Sequence, residues 1–82
     1  MENNKQLIAL SSMSVGQKAQ IIAFTFDAAE GERVQEVGIS PGEQFEVMRY
    51  VPLEETIEIK IRGYFVSIRK QAADHIMVKL FS

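Results

Sequence analysis

The chain has no cysteine and no tryptophan, and only one histidine and two prolines among its 82 residues. Without cysteine there are no disulfides, thiolate zinc sites, iron–sulfur clusters or cysteine nucleophiles, which agrees with a reducing compartment. The single histidine, His75, cannot supply a two-histidine metal motif, and no acidic stretch repeats the Asp/Asn–Gly pattern of a calcium loop. It is expected in a partly exposed turn before the last strand. Long apolar runs are also missing: Ile21-Ile22-Ala23-Phe24 is far short of the roughly twenty residues that cross a bilayer. Leu7-Ile8-Ala9-Leu10 falls below the roughly seven apolar residues of a signal-peptide core. Residues 1–6 read as a flexible N-terminal tail and residues 7–82 as one domain, placed in the cytoplasm without direct membrane insertion.

Parts for catalysis are equally scarce. No glycine-rich loop runs into Lys-Ser or Lys-Thr; Gly38 and Gly42 enclose Ile-Ser-Pro and continue into Glu43. Glu54-Glu55, an adjacent acid pair, sits in a turn led by Pro52, where neighbouring side chains diverge and read as solvated loop charge. Ser11, Ser12, Ser14, Ser40, Ser67 and Ser82 are available to pair with His75, but no strained glycine elbow frames any of them. The chain is expected not to be an enzyme, with no catalytic residue, no metal ligand set and no cofactor.

What is present is an ordinary globular mixture, 46% apolar and 24% charged, with a formal net charge of −2. That balance gives no general attraction to phosphate backbones. The charges are segregated, however. Glu30 to Glu58 holds eight acids against Arg33 and Arg49, while Lys60 to Ser82 holds five basic residues against Asp74. Pairing of these segments across neighbouring strands is the expected use, with a basic partner-binding face as the alternative.

Sixteen residues are Val or Ile, and they alternate in short runs bounded by glycine or proline, so most of the chain is predicted as sheet. A first strand over Gln17–Phe24 places Ala19, Ile21 and Ala23 on one face. A second sets Phe45, Val47, Arg49 and Val51 against Glu46, Met48 and Tyr50. In a third, Glu55–Arg62, three isoleucines alternate with Glu58, Lys60 and Arg62. Gly63 turns the chain into Tyr64–Arg69, forming a hairpin with Val66 and Ile68 inward. A helical turn over Lys70–His75 and a last strand with Ile76, Val78 and Leu80 follow. Ala28–Val37 is the remaining helix candidate, with Gly38 at its left-handed C-cap. The fold class is therefore mainly β: a small, partly open barrel of about five strands with one short helix and a one-turn helix.

The segment Arg33-Val34-Gln35-Glu36-Val37-Gly38-Ile39-Ser40-Pro41-Gly42 carries the most specific pattern. Gly38 can end a helix, Ile39 can enter the core, and Pro41-Gly42 suits a type II turn. This run resembles the arginine, hydrophobic, glycine, hydrophobic, x, proline, glycine signature of the FeoA family. The likeness extends over roughly residues 7 to 80, through Leu10, Met13, Gly16, Pro52, Ile57 to Gly63, Ile68-Arg69 and Ile76-Met77-Val78. Met13 stands where leucine is frequent and Thr56 where a proline often precedes the strand; both substitutions are compatible with a barrel.

The resemblance implies an SH3-like barrel and an accessory role in ferrous iron transport and iron homeostasis. The implied partner is the cytoplasmic part of a FeoB-like transporter, and transition-metal binding enters only as a family property. The same fold is shared by the C-terminal domain of iron-responsive repressors, but no winged-helix segment or His/Cys cluster is present here, which favours a free-standing FeoA-like protein. Arg33, Gly38, Ile39, Pro41, Gly42 and Gly63 read as structural motif residues. Met48, Tyr50 and Leu53, with Lys60, Arg62 and Arg69 nearby, are the candidates for contacting a partner by protein–protein interaction. A small nucleic-acid-binding barrel is the alternative, using aromatics such as Tyr64 and Phe65 beside Arg62, Arg69 and Lys70.

Overall fold

A computed structural model describes residues 7–27, 31, 34–35 and 38–81. Among them, six strands form one sheet in the order β1-β6-β2-β3-β4-β5, every neighbouring pair antiparallel. The strands are β1 (Leu7–Ala9), β2 (Lys18–Phe24), β3 (Gln44–Val51), β4 (Thr56–Ile61), β5 (Tyr64–Arg69) and β6 (Ile76–Phe81). Six rather than five strands are present because three residues pair with β6, Ile8 facing Val78. So short a strand has no periodicity of its own. It is held by the ladder and by the 3₁₀ turn Leu10–Ser12, whose Leu10 is fully buried.

The core is made by alternation. Ile57, Ile59 and Ile61 of β4 are all buried, and opposite them stand Ile68 and Val66 of β5 and Phe45 and Val47 of β3. Leu10, Ala19, Ile21, Val34, Ile39, Ile76 and Val78 join it, and no polar side chain of the described residues is buried. Lys70–Ala73 forms the expected helical turn, putting Ala73 into the core and leading through Asp74 and His75 into β6.

Two bulges correct the expected faces. In β2 the register slips between Ile21 and Ala23, so Ala23 aligns with Met77 while Phe24 aligns with buried Ile76. Phe24, rather than Ala23, therefore shares the core side with Ala19 and Ile21. In β3 the slip falls between Val47 and Arg49. A bulge inserts one unpaired residue, here Met48, and inverts the parity of everything after it. Arg49 then lies opposite Glu58 and Val51 opposite Thr56 on the outer face, and Tyr50 lies opposite core Ile57. Regular alternation would have carried the Arg49 guanidinium inward, at a heavy desolvation cost.

The turns follow the expected chemistry. Gly38 has φ +91°, its N–H donates to the Gln35 carbonyl at 2.9 Å, and the Ile39 N–H donates to the Val34 carbonyl at 3.4 Å. This is a Schellman closure, with buried Val34 and Ile39 as its apolar pair. Gly31, Val34 and Gln35 have helical backbone; the rest of the expected Ala28–Val37 helix, Arg33 included, lies outside the described residues. Pro41-Gly42 makes the type II turn, with Gly42 at φ +97° and the Glu43 N–H donating to the Ser40 carbonyl at 3.1 Å.

Candidate functional site

The candidate residues sit on and around the β3–β4–β5 portion of the sheet. On its outer face the register stacks three rows: Glu46, Lys60 and Phe65; then Arg49, Glu58 and Ser67; then Val51, Thr56 and Arg69. Lys60 and Arg69 thus share a face but lie in different rows. Arg62 belongs to neither, because it occupies the hairpin turn with Gly63 at φ 54° and 84°, a type I′ geometry. There it meets Glu43 at 3.5 Å. This joins the basic and acidic segments, as charge segregation predicted; Arg49–Glu58, by contrast, pairs two residues of the acidic segment.

At the other end of β4, the turn after β3 carries Pro52, Leu53, Glu54 and Glu55. Leu53 is 99% exposed and Tyr50, just before the turn, 45%. The Lys70 N–H donates to the Glu55 carbonyl at 2.8 Å, fixing the helical turn against this loop. Glu54, Glu55, Arg69, Lys70 and Gln71 line a small hollow there.

The six candidates therefore do not form one patch. Tyr50, Leu53 and Arg69 lie at the turn end, Tyr50 in the row of core Ile57 and Arg69 in the outer row with Val51 and Thr56, and Met48 is the partly buried bulge residue. Lys60 and Arg62 lie toward the hairpin end, and five β4 steps of about 3.3 Å separate the two ends by about 17 Å. Strand register also sets Lys60 and Phe65 in line with three residues that the sequence reading left out of the site, Phe81, Lys18 and Glu46. Phe81, Lys18, Glu46, Lys60 and Phe65 are cross-strand neighbours in turn, one from each of β6, β2, β3, β4 and β5. Lys60 Nζ lies 5.8 Å from the centroid of the Phe65 ring. Lys18, Glu46, Lys60, Arg62 and Phe81 border an open hollow of about 280 Å³.

His75 is exposed in the turn before β6, as expected, with Nδ1 3.0 Å from Thr25 Oγ1 and its ring 6.2 Å from that of Phe26. Phe26 stacks in turn on Phe24 at 5.0 Å. Among the described residues no group of three or more His, Asp and Glu side chains is placed to hold a metal ion, and no helix is long and apolar enough to cross a membrane.

An open six-stranded antiparallel sheet with one short helix and a 3₁₀ turn is the arrangement of the SH3-like class of small domains. The FeoA domain model matches residues 8–80, and the chain belongs to the FeoA family, which is associated with ferrous iron transport. The FeoA protein of Chlorobium tepidum superposes with a TM-score of 0.83 at 25% identity, over 92% of this chain and 71% of that one. A FeoA-like protein of Clostridium acetobutylicum gives 0.84 at 24%, over 98% and 92%. The IdeR protein of T. acidophilum gives 0.81 at 16%, over 99% of this chain but 37% of that one, a likeness of fold alone. No curated protein matches the sequence.

Proposed function

We propose that this protein is a non-enzymatic, cytoplasmic accessory factor of ferrous iron transport that binds the cytoplasmic part of a FeoB-type transporter. The observation that carries the reading is the family match across residues 8–80. The FeoA family is one of small accessory proteins rather than a known enzyme family. The surface is compatible with that role: Leu53 and Tyr50 offer apolar and aromatic area, and Arg69 supplies a cation at the same end of the sheet. Such cations chiefly set orientation and association rate, so salt weakens the complex without abolishing it.

The test is a calorimetric titration of the full chain with the transporter's cytoplasmic fragment. Saturable one-to-one binding supports the reading, and no heat and no shift at high concentration overturns it. Lys18 and Lys60 flanked by Phe65 and Phe81 are the specific observation behind the second reading, a single-strand nucleic-acid surface. Glu46 between the two lysines and the net charge of −2 oppose it. A single-stranded oligonucleotide in the same titration separates the two.

A further inference from the structure

We propose that the chain associates with a second copy of itself through antiparallel pairing of β5 with β5, on a two-fold axis at Ser67. β5 ends the sheet, with β4 on one side and no strand of the described residues on the other. The hairpin decides which backbone groups are left over. Ile61 and Tyr64 flank its two-residue type I′ turn and so bond to each other, which directs the N–H and C=O groups of Tyr64, Val66 and Ile68 toward β4. Lys70 has the same parity, and its N–H does reach the Glu55 carbonyl on that side at 2.8 Å. Phe65, Ser67 and Arg69 therefore point theirs away from the sheet, where no backbone partner among the described residues meets them.

Natural edges are guarded by short length, charged side chains, proline, a bulge, inward-pointing charge or a covering helix or loop. β1, the opposite edge, is only three residues long. β5 carries only one of these guards, the charged Arg69 at its end: six residues run in unbroken register from Thr56–Arg69 to Ile61–Tyr64, with no proline, bulge or inward charge. Phe65 beside this edge is 60% exposed and Tyr64 71%.

A second copy fits because the strand is complementary to itself. With Ser67 opposite Ser67 of the second copy, all three free residues on each strand find partners. On the outer face, Phe65 then opposes Arg69 of the second copy at both ends, an aromatic ring against a guanidinium, and two small hydroxyls meet at the axis. On the inner face Val66 opposes Ile68, extending the apolar layer. No like charges face each other. One added strand buries less than the ~1,200 Å² of a standard interface, so the association is weak and depends on concentration.

The test is sedimentation velocity with amide exchange on the full chain, from about 10 μM to about 1 mM. The mass rises toward the dimer, and the Phe65, Ser67 and Arg69 amides gain protection together. Ser67→Lys places two ammonium groups on the axis and weakens association at least about five-fold, while its unfolding midpoint at low concentration stays as in the wild type because Ser67 is exposed. Ser67→Glu weakens it likewise, and mixing the two variants restores it, because residue 67 faces itself only in this register. A monomer at the highest concentration overturns the proposal. So does undiminished association of Ser67→Lys, or a mixture no tighter than either variant alone. Protection of the three amides at the lowest concentration would put their partner within the same chain and also overturn it.

Discussion

Arg49 Nε donates to Glu58 Oε1 at 3.2 Å on the outer face, across a ladder that has just gained an unpaired residue at Met48. The bulge keeps the guanidinium in water and gives it a carboxylate on the neighbouring strand. With 68% of the Arg49 side chain exposed, solvent screens most of the attraction. A double-mutant cycle with Arg49→Ala and Glu58→Ala is expected to give a coupling below about 1 kcal/mol in urea unfolding, shrinking further in high salt. A larger coupling would mean that the pair, rather than the desolvation cost of an inward arginine, sets the register.

That bulge marks the boundary of what the sequence discloses. β4 alternates strictly from Thr56 to Ile61, so its buried face and its hairpin partner are both readable from the residues alone. Gly38 and Pro41-Gly42 are readable too, because each meets a backbone demand that few residues satisfy. In β3, Phe45, Val47, Met48, Tyr50 and Val51 are apolar or aromatic on both parities, so nothing local says where the slip falls; Ile57 and Glu58 across the ladder decide it. The Phe81–Lys18–Glu46–Lys60–Phe65 row takes one residue from each of five strands and has no signal within any segment.

Gly38 separates backbone strain from crowding. Its φ is +91°, yet a Cβ added there would meet nothing within 4 Å. Gly38→Val is expected to cost more than about 1 kcal/mol through backbone conformation alone. Gly38→Asn, which tolerates left-handed backbone better, is expected to cost less than the valine. Chemical denaturation of the two variants checks the order, and equal losses would point to crowding instead.

Arg62 is the converse case, a non-glycine residue at φ 54° in the first central position of a type I′ turn. Asparagine is favoured in that position and would create an Asn-Gly pair with Gly63. The substitution removes the 3.5 Å contact with Glu43, which is exposed and therefore weak. Arg62→Asn is expected to stabilise the fold by about 0.5 kcal/mol, on the scale of relieved backbone strain less a surface ion pair. A lowered urea midpoint would show that the Glu43 contact outweighs the turn.

The two ends of β4 give the proposed transporter contact a spatial test. Leu53 is 99% exposed in its turn, and an unpartnered leucine there contributes nothing to the core, so Leu53→Ala is expected to change folding stability by less than about 0.5 kcal/mol. Tyr50 stands beside it, and at an interface its ring would contribute large contact area at low entropic cost. Tyr50→Ala is therefore expected to weaken binding to the transporter fragment by at least about 1 kcal/mol, with Leu53→Ala adding to the loss. Counted along β4 from Ile57, the partner of Tyr50, Lys60→Ala lies about 10 Å away and Arg62→Ala about 17 Å. At those distances they lie more than a Debye length from the turn end at physiological salt, so their effect falls mainly on association rate and its salt dependence. Titration of the four variants at two salt concentrations decides the matter. A Tyr50→Ala/Leu53→Ala double variant that folds and binds like the wild type removes the turn end as the contact, and a large salt-independent loss in Lys60→Ala moves it to the hairpin end.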